Sequence, residues 1–432
     1  MANGNAGGKL RRGIATAGIS LLVLNGMIGA GIFALPGALA EAAGALSPWL
    51  FLLTGAVFLA VVLTFAELAS YFRGTGGPVL YTYTAFGPFA GFQVGWLLYT
   101  ARITALGANA NVMISYLAHL WPGVGEGALR AGLILLLIGG LVWANIRGIK
   151  EGIRTMGLLT IFKLLPLLGL ILLGLSHIDF TAGLSAGLPE GDELGGTALL
   201  LIYAFVGFEG ALVVAGETGR PRRTLPRALI PTVLGITLFY FLIQLVYVSV
   251  VPAGEISDAP LIEAGRALAG PIGALAITLA AVFSIAGNLS QLVLTAPRMT
   301  YALAEEGSLP KWFGRIHPRY ATPHNSLLFL GVVGGLLAVT GSFVWLATVS
   351  ALARMIAYSF SILALPVIRK KASAEDRARA FRLPGGLVIP VIGLVLCLWV
   401  ASNSTPAAWG VLALLVAGGS ILYFGERFFK AG

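Results

Sequence analysis

Charged side chains are what this chain has least of. Asp, Glu, Lys and Arg make up 11% of its 432 residues, against about 25% in soluble domains. A water-facing surface around a core this apolar would need many more, so a soluble globule is excluded. Cysteine is nearly absent: Cys397 alone can form no intrachain disulfide, and the redox compartment is not readable from it. The four histidines, His119, His177, His317 and His324, fall in loops without metal-ligand spacing. No H-E-x-x-H, G-x-S-x-G or lysine-bearing P-loop occurs, which removes the common metalloprotease, hydrolase and nucleotide-driven signatures. No loop is long enough to fold by itself, and no signal-peptide cleavage pattern precedes the first apolar run.

What remains is hydrophobic. Apolar residues account for 57% of the chain, with 58 glycines and a mean hydropathy of +0.90. A bilayer-spanning helix needs roughly 20 mostly apolar residues. Runs of that kind lie near 14–35, 46–72, 87–118, 128–146, 155–176 and 195–216, then near 227–251, 271–302, 325–341, 343–367, 388–404 and 407–425. This predicts an all-α integral membrane protein of about twelve spans, with tight turns at Gly341–Phe343 and Asn403–Pro406. Basic residues test the count. With twelve spans, 23 of the 28 Lys and Arg fall on the side of the termini, only Arg130 and Arg266 on the other, and Arg102, Lys163 and Arg354 inside spans. Positive loops stay in the cytoplasm, so both termini are expected there, in a cell (inner or plasma) membrane. Anionic lipid at the inner leaflet accounts for the basic excess, and no nucleic-acid partner is implied.

Two spans are poor helices. In span 1, Gly26, Gly29 and Gly31 occupy three of six successive positions, each costing roughly 1 kcal/mol relative to alanine. Span 6 carries Val206-Gly207-Phe208-Glu209-Gly210. Unwound backbone at membrane depth is tolerated only where it is buried in protein or lines a cavity. There it offers free N–H groups to an anion and free carbonyls to a cation, the two charges of a zwitterion. Close glycine packing accounts for span 1 alone equally well. The second break five spans later changes the weighting, because paired interruptions in two inverted five-helix repeats point to a transporter's binding site. The repeats would be residues 14–176 and 195–367, with two added helices in 388–425, a flexible cytoplasmic tail at 1–13 and a second tail at 426–432.

The motifs in order resemble the amino acid–polyamine–organocation (APC) superfamily. They are Gly29-Ala30-Gly31-Ile32-Phe33; Ala66-Glu67-Leu68 through Gly76-Gly77-Pro78 to Tyr81 and Tyr83; Phe86-Gly87-Pro88 with Gly95-Trp96; Gly207-Phe208-Glu209 with Glu217 and Pro226-Arg227-Ala228; and Ala296-Pro297-Arg298 with Glu306-Gly307 and Leu309-Pro310. The resemblance implies a leucine-transporter-like fold. It implies that amides of Gly29, Ala30 and Gly31 hold a substrate carboxylate, and that carbonyls of Met27, Ile28, Tyr203, Ala204 and Val206 hold the amine. Relatives often carry serine where Ala30 stands, so a hydroxyl contact is missing here. It further implies that Lys163 of span 5 takes the place of a sodium ion between spans 1 and 8.

The residues alone leave alternatives. Lys163 lies roughly 13 Å into its span, where a lysine is costly unless paired or neutral; snorkelling to the headgroups is the other reading. Glu209 either bonds amides freed by the break or couples a proton. Arg102 and Arg354 are pathway or gate candidates or structural pairs, and Glu67 is expected to meet a loop. Tyr203 and Phe208 flank the break as occluding aromatics or as ordinary packing. Ser284, Asn288, Ser290 and Gln291 make span 8 polar enough to face a pathway. The expectation is thus a secondary amino acid transporter working by alternating access, sodium-independent, by proton-coupled symport or exchange. With no deep acidic residue beyond Glu209, neutral amino acids are the expected substrates; an antiporter of cationic amino acids or amines, and a channel, are the alternatives. No cofactor and no enzyme activity are expected. Cys397 lies inside a span, so no disulfide-linked partner is expected either; the partners are the amino acid, lipid and a candidate proton.

Overall fold

The computed structural model describes all residues except 1–15, 73–75, 149–152, 179–190, 214–220, 253, 255–256 and 432. The predicted tail 1–13 and Glu217 therefore lie outside the described residues. Most of the rest is helical, and each of the twelve apolar runs, where described, falls on a helix or on a broken pair. In chain order these are α1 (Thr16–Met27), α2 (Gly31–Ala43), α3 (Ser47–Tyr71), α4 (Pro78–Phe86), α5 (Pro88–Ala118), α6 (Gly127–Ile146), α7 (Ile153–Gly174), α8 (Gly191–Phe205) and α9 (Glu209–Val213). There follow α10 (Pro221–Val250), α11 (Pro260–Glu305), α12 (His324–Thr340), α13 (Phe343–Lys371), α14 (Ala374–Arg379), α15 (Val388–Ser402) and α16 (Pro406–Ala431).

Among the described residues, seven helical segments are long and apolar enough to cross a bilayer, and four further apolar helices are shorter. Two of those four carry the breaks: Thr16–Met27 ends at one and Thr197–Leu212 runs across the other. Helix α1 stops at Met27 and α2 starts at Gly31, while α8 stops at Phe205 and α9 starts at Glu209. The weak points are where the glycines put them.

The expected tight turns are present. Ser342 caps α13, its hydroxyl accepting from Trp345 N at 3.3 Å, and only three residues separate α15 from α16. Two boundaries differ from expectation. Helix α16 runs on through Ala431, where a tail from 426 was expected; Glu426 and Arg427 end the apolar run but not the helix, and Arg427 stacks over the Tyr423 ring one turn back. Helix α11 begins eleven residues before its apolar run and bends at Ala269 and Gly270, whose φ is +59°. At this bend Gly265 and Gly273 bring their backbones together with no room for a side chain on either.

Packing is by pairs. Helix α3 lies along α10, α13 along α5, α11 along α7 and α5, and α12 along α6. The first three pairs enclose the two breaks. The lipid-facing surfaces of α7 and α15 keep Leu165, Leu172, Val388 and Val395 exposed, as expected of helices whose outer face meets acyl chains.

Candidate functional site

The two breaks meet. Gly26 packs its backbone against Gly207: a methyl added at Gly26 would lie 2.5 Å from the Gly207 oxygen. Gly207 has φ +110°, a conformation that L side chains rarely adopt. So the glycines serve two ends at once, unwinding each helix and letting the unwound segments touch. Beside this contact lies a cavity of about 50 Å³ lined by both breaks and by α5, α11 and α13.

Helix ends aim at this cavity. Helix α2 offers its N-terminus. Of the three amides expected to hold a carboxylate, Gly29 N–H bonds Met27 O at 3.0 Å and Ala30 N–H bonds Asn109 Oδ1 at 3.0 Å. Gly31 and Ile32 N–H find no acceptor among the described residues. On the other side, α8 ends with the carbonyls of Tyr203 and Ala204, which receive no hydrogen bond from the interrupted chain. The carbonyls of Met27 and Ile28 differ. Met27 O accepts from the Tyr240 hydroxyl at 3.0 Å as well as from Gly29. Ile28 O accepts from Lys163 Nζ at 2.9 Å and from Ser284 Oγ at 3.2 Å. A carbonyl has two lone pairs, so both oxygens are fully engaged.

Lys163 is 1% exposed and does not snorkel. Its ammonium sits behind the break of α1 and α2, joined through Ile28 O to Ser284 of α11. Asn25 is fixed nearby, its Nδ2 2.8 Å from Thr160 Oγ1. A compact cation thus ties α7, the first break and α11 together.

Glu209, 2% exposed, starts α9. Its Oε2 accepts from Gly207 N–H at 2.8 Å and from the Tyr358 hydroxyl at 2.7 Å; its Oε1 accepts from Arg354 Nε at 3.1 Å. It therefore bonds an amide freed by the break and also neutralises a buried guanidinium, which in turn donates to Ser350. A buried pair of this kind gains less in net stability than it costs to break. Arg102, by contrast, forms no ion pair among the described residues; its Nη1 donates to Thr295 Oγ1 at 2.8 Å.

The cavity brings together Met27, Gly29, Ala30, Gly31, Tyr203, Val206, Glu209, Arg102, Asn288 and Arg354. Ile28, Ala204, Lys163 and Ser284 stand behind its wall rather than in it. Phe208 is elsewhere: it packs edge-on against Phe58 and Phe65 and beside Tyr358. Tyr203 stacks edge-on on Phe343, with ring centres 5.8 Å apart. Phe343 lines a second, larger cavity of about 640 Å³ with Glu41, Arg130 and Asp258, so this aromatic pair divides the two spaces. Glu67 accepts from Arg369 Nε and Nη2 at the end of α13, each at 2.8 Å, and from Leu383 N–H of the loop that follows at 3.0 Å.

Asn109 was not singled out by sequence. It donates to Asn288 Oδ1 at 3.2 Å while holding Ala30, and Asn288 in turn reaches Asn25 O at 3.2 Å. Its only signal was two asparagines, 109 and 111, in an otherwise apolar span. Tyr240 and Tyr358 gave no signal, since tyrosines in membrane helices have many uses.

The pattern of the amino acid permease family matches residues 15–424. The chain belongs to that family. It is a multi-pass membrane transporter and not an enzyme. The permease is 30% identical over 428 residues to the serine/threonine exchanger SteT of Bacillus subtilis, covering 95% of each chain. It is 26% identical over 438 residues to the methylthioribose transporter of the same organism, covering 96% of this chain and 93% of the relative. It is 26% identical over 449 residues to that organism's glutamate/serine transporter AimA, covering 96% and 82%. Full-length coverage means that the breaks, the buried lysine and the cavity all fall within the shared region.

Proposed function

We propose that this permease is a sodium-independent secondary transporter of amino acids that works by alternating access, with the substrate's backbone held between the two breaks. The observation that carries the reading is the ammonium of Lys163 on the Ile28 carbonyl, with Ser284 on the same oxygen. Carbonyl and hydroxyl oxygens at a helix break are the ligand set of a hard monovalent cation, and here a side chain supplies that cation. The free amide of Gly31 suits the α-carboxylate, and the carbonyl of Tyr203 suits the amine. The amine site is thereby narrower than the resemblance implied, because Met27 and Ile28 carbonyls are already engaged. The Tyr203–Phe343 pair is the outer gate in this reading.

Helix pairing supports two inverted repeats. If α5 corresponds to α11 and α7 to α13, the contact of α5 with α13 is the counterpart of α11 with α7, and α3 with α10 pairs a helix with its own counterpart. Relatives named for exchange of serine and threonine and for transport of glutamate and serine support amino acids as the substrate class. Cationic substrates are disfavoured, since Glu209, the one carboxylate in the cavity, is spent on Arg354.

Proteoliposomes loaded with unlabelled amino acids test this. Counterflow of labelled substrate is expected to saturate and to be unchanged when sodium is replaced by choline. Lys163→Ala is expected to abolish it at matched protein levels. Dependence on sodium in the parent, or near-normal flux in the variant, overturns the reading.

A further inference from the structure

Two polar rungs join α5 to α11. The upper rung is Asn109 to Asn288, level with the break. The lower is Arg102 to Thr295. Each lower residue lies seven positions from the upper one on its own helix, two turns or about 10 Å. The cavity extends between the rungs, bounded above by Gly31 at the start of α2 and below by Arg102, Gln291 and Thr295.

The lower rung is electrically incomplete. Arg102 is 7% exposed and carries five N–H donors. Among the described residues only Nη1 has a hydrogen-bond partner, an uncharged hydroxyl, and Nε is buried with none. Glu209 offsets its charge only through space and makes no hydrogen bond to it: its two oxygens are taken by Arg354, Tyr358 and Gly207, so one carboxylate serves two guanidiniums. Asn109, Asn288, Gln291 and Thr295 on the facing walls carry no charge. The Gln291 amide also has its oxygen buried without a partner. An unpaired guanidinium in such a place is costly, and its flat fork matches a carboxylate.

We propose that the side chain of the transported amino acid carries a second anionic group, and that Arg102 receives it as the specificity-determining residue. This rests on the cavity being the substrate site. The α-carboxylate then sits at the upper rung and the side-chain carboxylate at the lower one. Arg102, read from sequence as a pathway or gate candidate, becomes an attractor for acidic substrates.

Competition in the counterflow assay decides it. L-glutamate and L-aspartate are expected to compete with labelled L-glutamate far better than L-alanine, and L-arginine not at all. Arg102→Gln is expected to lower the ratio of kcat/KM for glutamate over alanine at least about tenfold, the loss of one charge-assisted hydrogen bond. Arg102→Lys is expected to restore part of that ratio. Thermal shift of the detergent-solubilised parent, with glutamate raising the melting temperature and alanine doing so less, gives a measurement that needs no variant. Efficient alanine exchange without competition or stabilisation by acidic amino acids overturns the proposal while leaving amino acid transport intact. Exchange of neither class overturns the transport reading itself.

Discussion

Gly207→Ala is the sharpest perturbation of the fold at the site. The methyl would lie 2.6 Å from the carbonyl carbon of Gly26, closer still to its oxygen, and 3.3 Å from Met27 N. All of these are backbone atoms, so no side chain can turn away. The residue also has φ +110°, and holding alanine there costs about 1–3 kcal/mol. Overpacking of this kind adds about 1–3 kcal/mol. Together these are a large share of the stability of a typical domain. The expected result is a melting temperature lower by on the order of 5 °C and loss of counterflow, read by fluorescence-detected size exclusion after heating and by proteoliposome uptake. Gly210→Ala is the internal control. Its methyl would meet only Gln291 Nε2, at 3.7 Å, and the melting temperature is expected to stay at the parent value. Gly26→Ala is expected to resemble Gly207→Ala, and the double variant to cost less than the sum, because either methyl already parts the two backbones. Parental stability and flux in Gly207→Ala would show that the breaks do not lean on each other.

Glu209→Gln leaves the Arg354 guanidinium buried without a counter-charge, a cost of about 3–5 kcal/mol; Arg354→Met in the same chain is expected to recover most of the lost melting temperature, though not transport. Asn109→Ala leaves the Ala30 amide buried without its acceptor, at about 1–3 kcal/mol, and a thermal melt of the purified protein checks it.

The sequence was informative wherever a single helix contradicted itself. Glycines at 26, 29, 31 and 207 are bad helix residues in the middle of spans, and Lys163 is a bad lipid residue, so local physics flags them without knowledge of any neighbour. Glu67 was legible for a similar reason: at the end of a span a carboxylate needs a basic partner, and it finds Arg369 at the end of α13. Asn109 and Tyr240 are different. Each acts by reaching a backbone atom of another helix far away in the chain, Ala30 N–H and Met27 O, and nothing in their own surroundings requires it. The outer part of α11 escaped because Pro260–Leu268 is less apolar than the run it precedes and is set apart by the bend at Gly270. Of the two readings of Phe208, occluding aromatic and ordinary packing, the contacts favour packing, for a related reason. Nearness to the break in sequence is not nearness to the cavity, because one residue further along the unwound segment points the ring to Phe58 and Phe65.

The ammonium on the Ile28 carbonyl also bears on the energy supply. A dissociable ion that crosses with its cargo delivers the free energy of its gradient on every cycle. A cation anchored to the chain never leaves, so it brings none, however well it holds the helices together. Under the proposed sodium-independent reading, uphill movement draws on a substrate moving the other way, or on a proton that Lys163 gives up and regains, about 1.4 kcal/mol per unit of pH difference. With the first source alone, accumulation stops at the gradient of the counter-substrate. A carrier of that kind equalises ratios between pools and cannot fill an empty one.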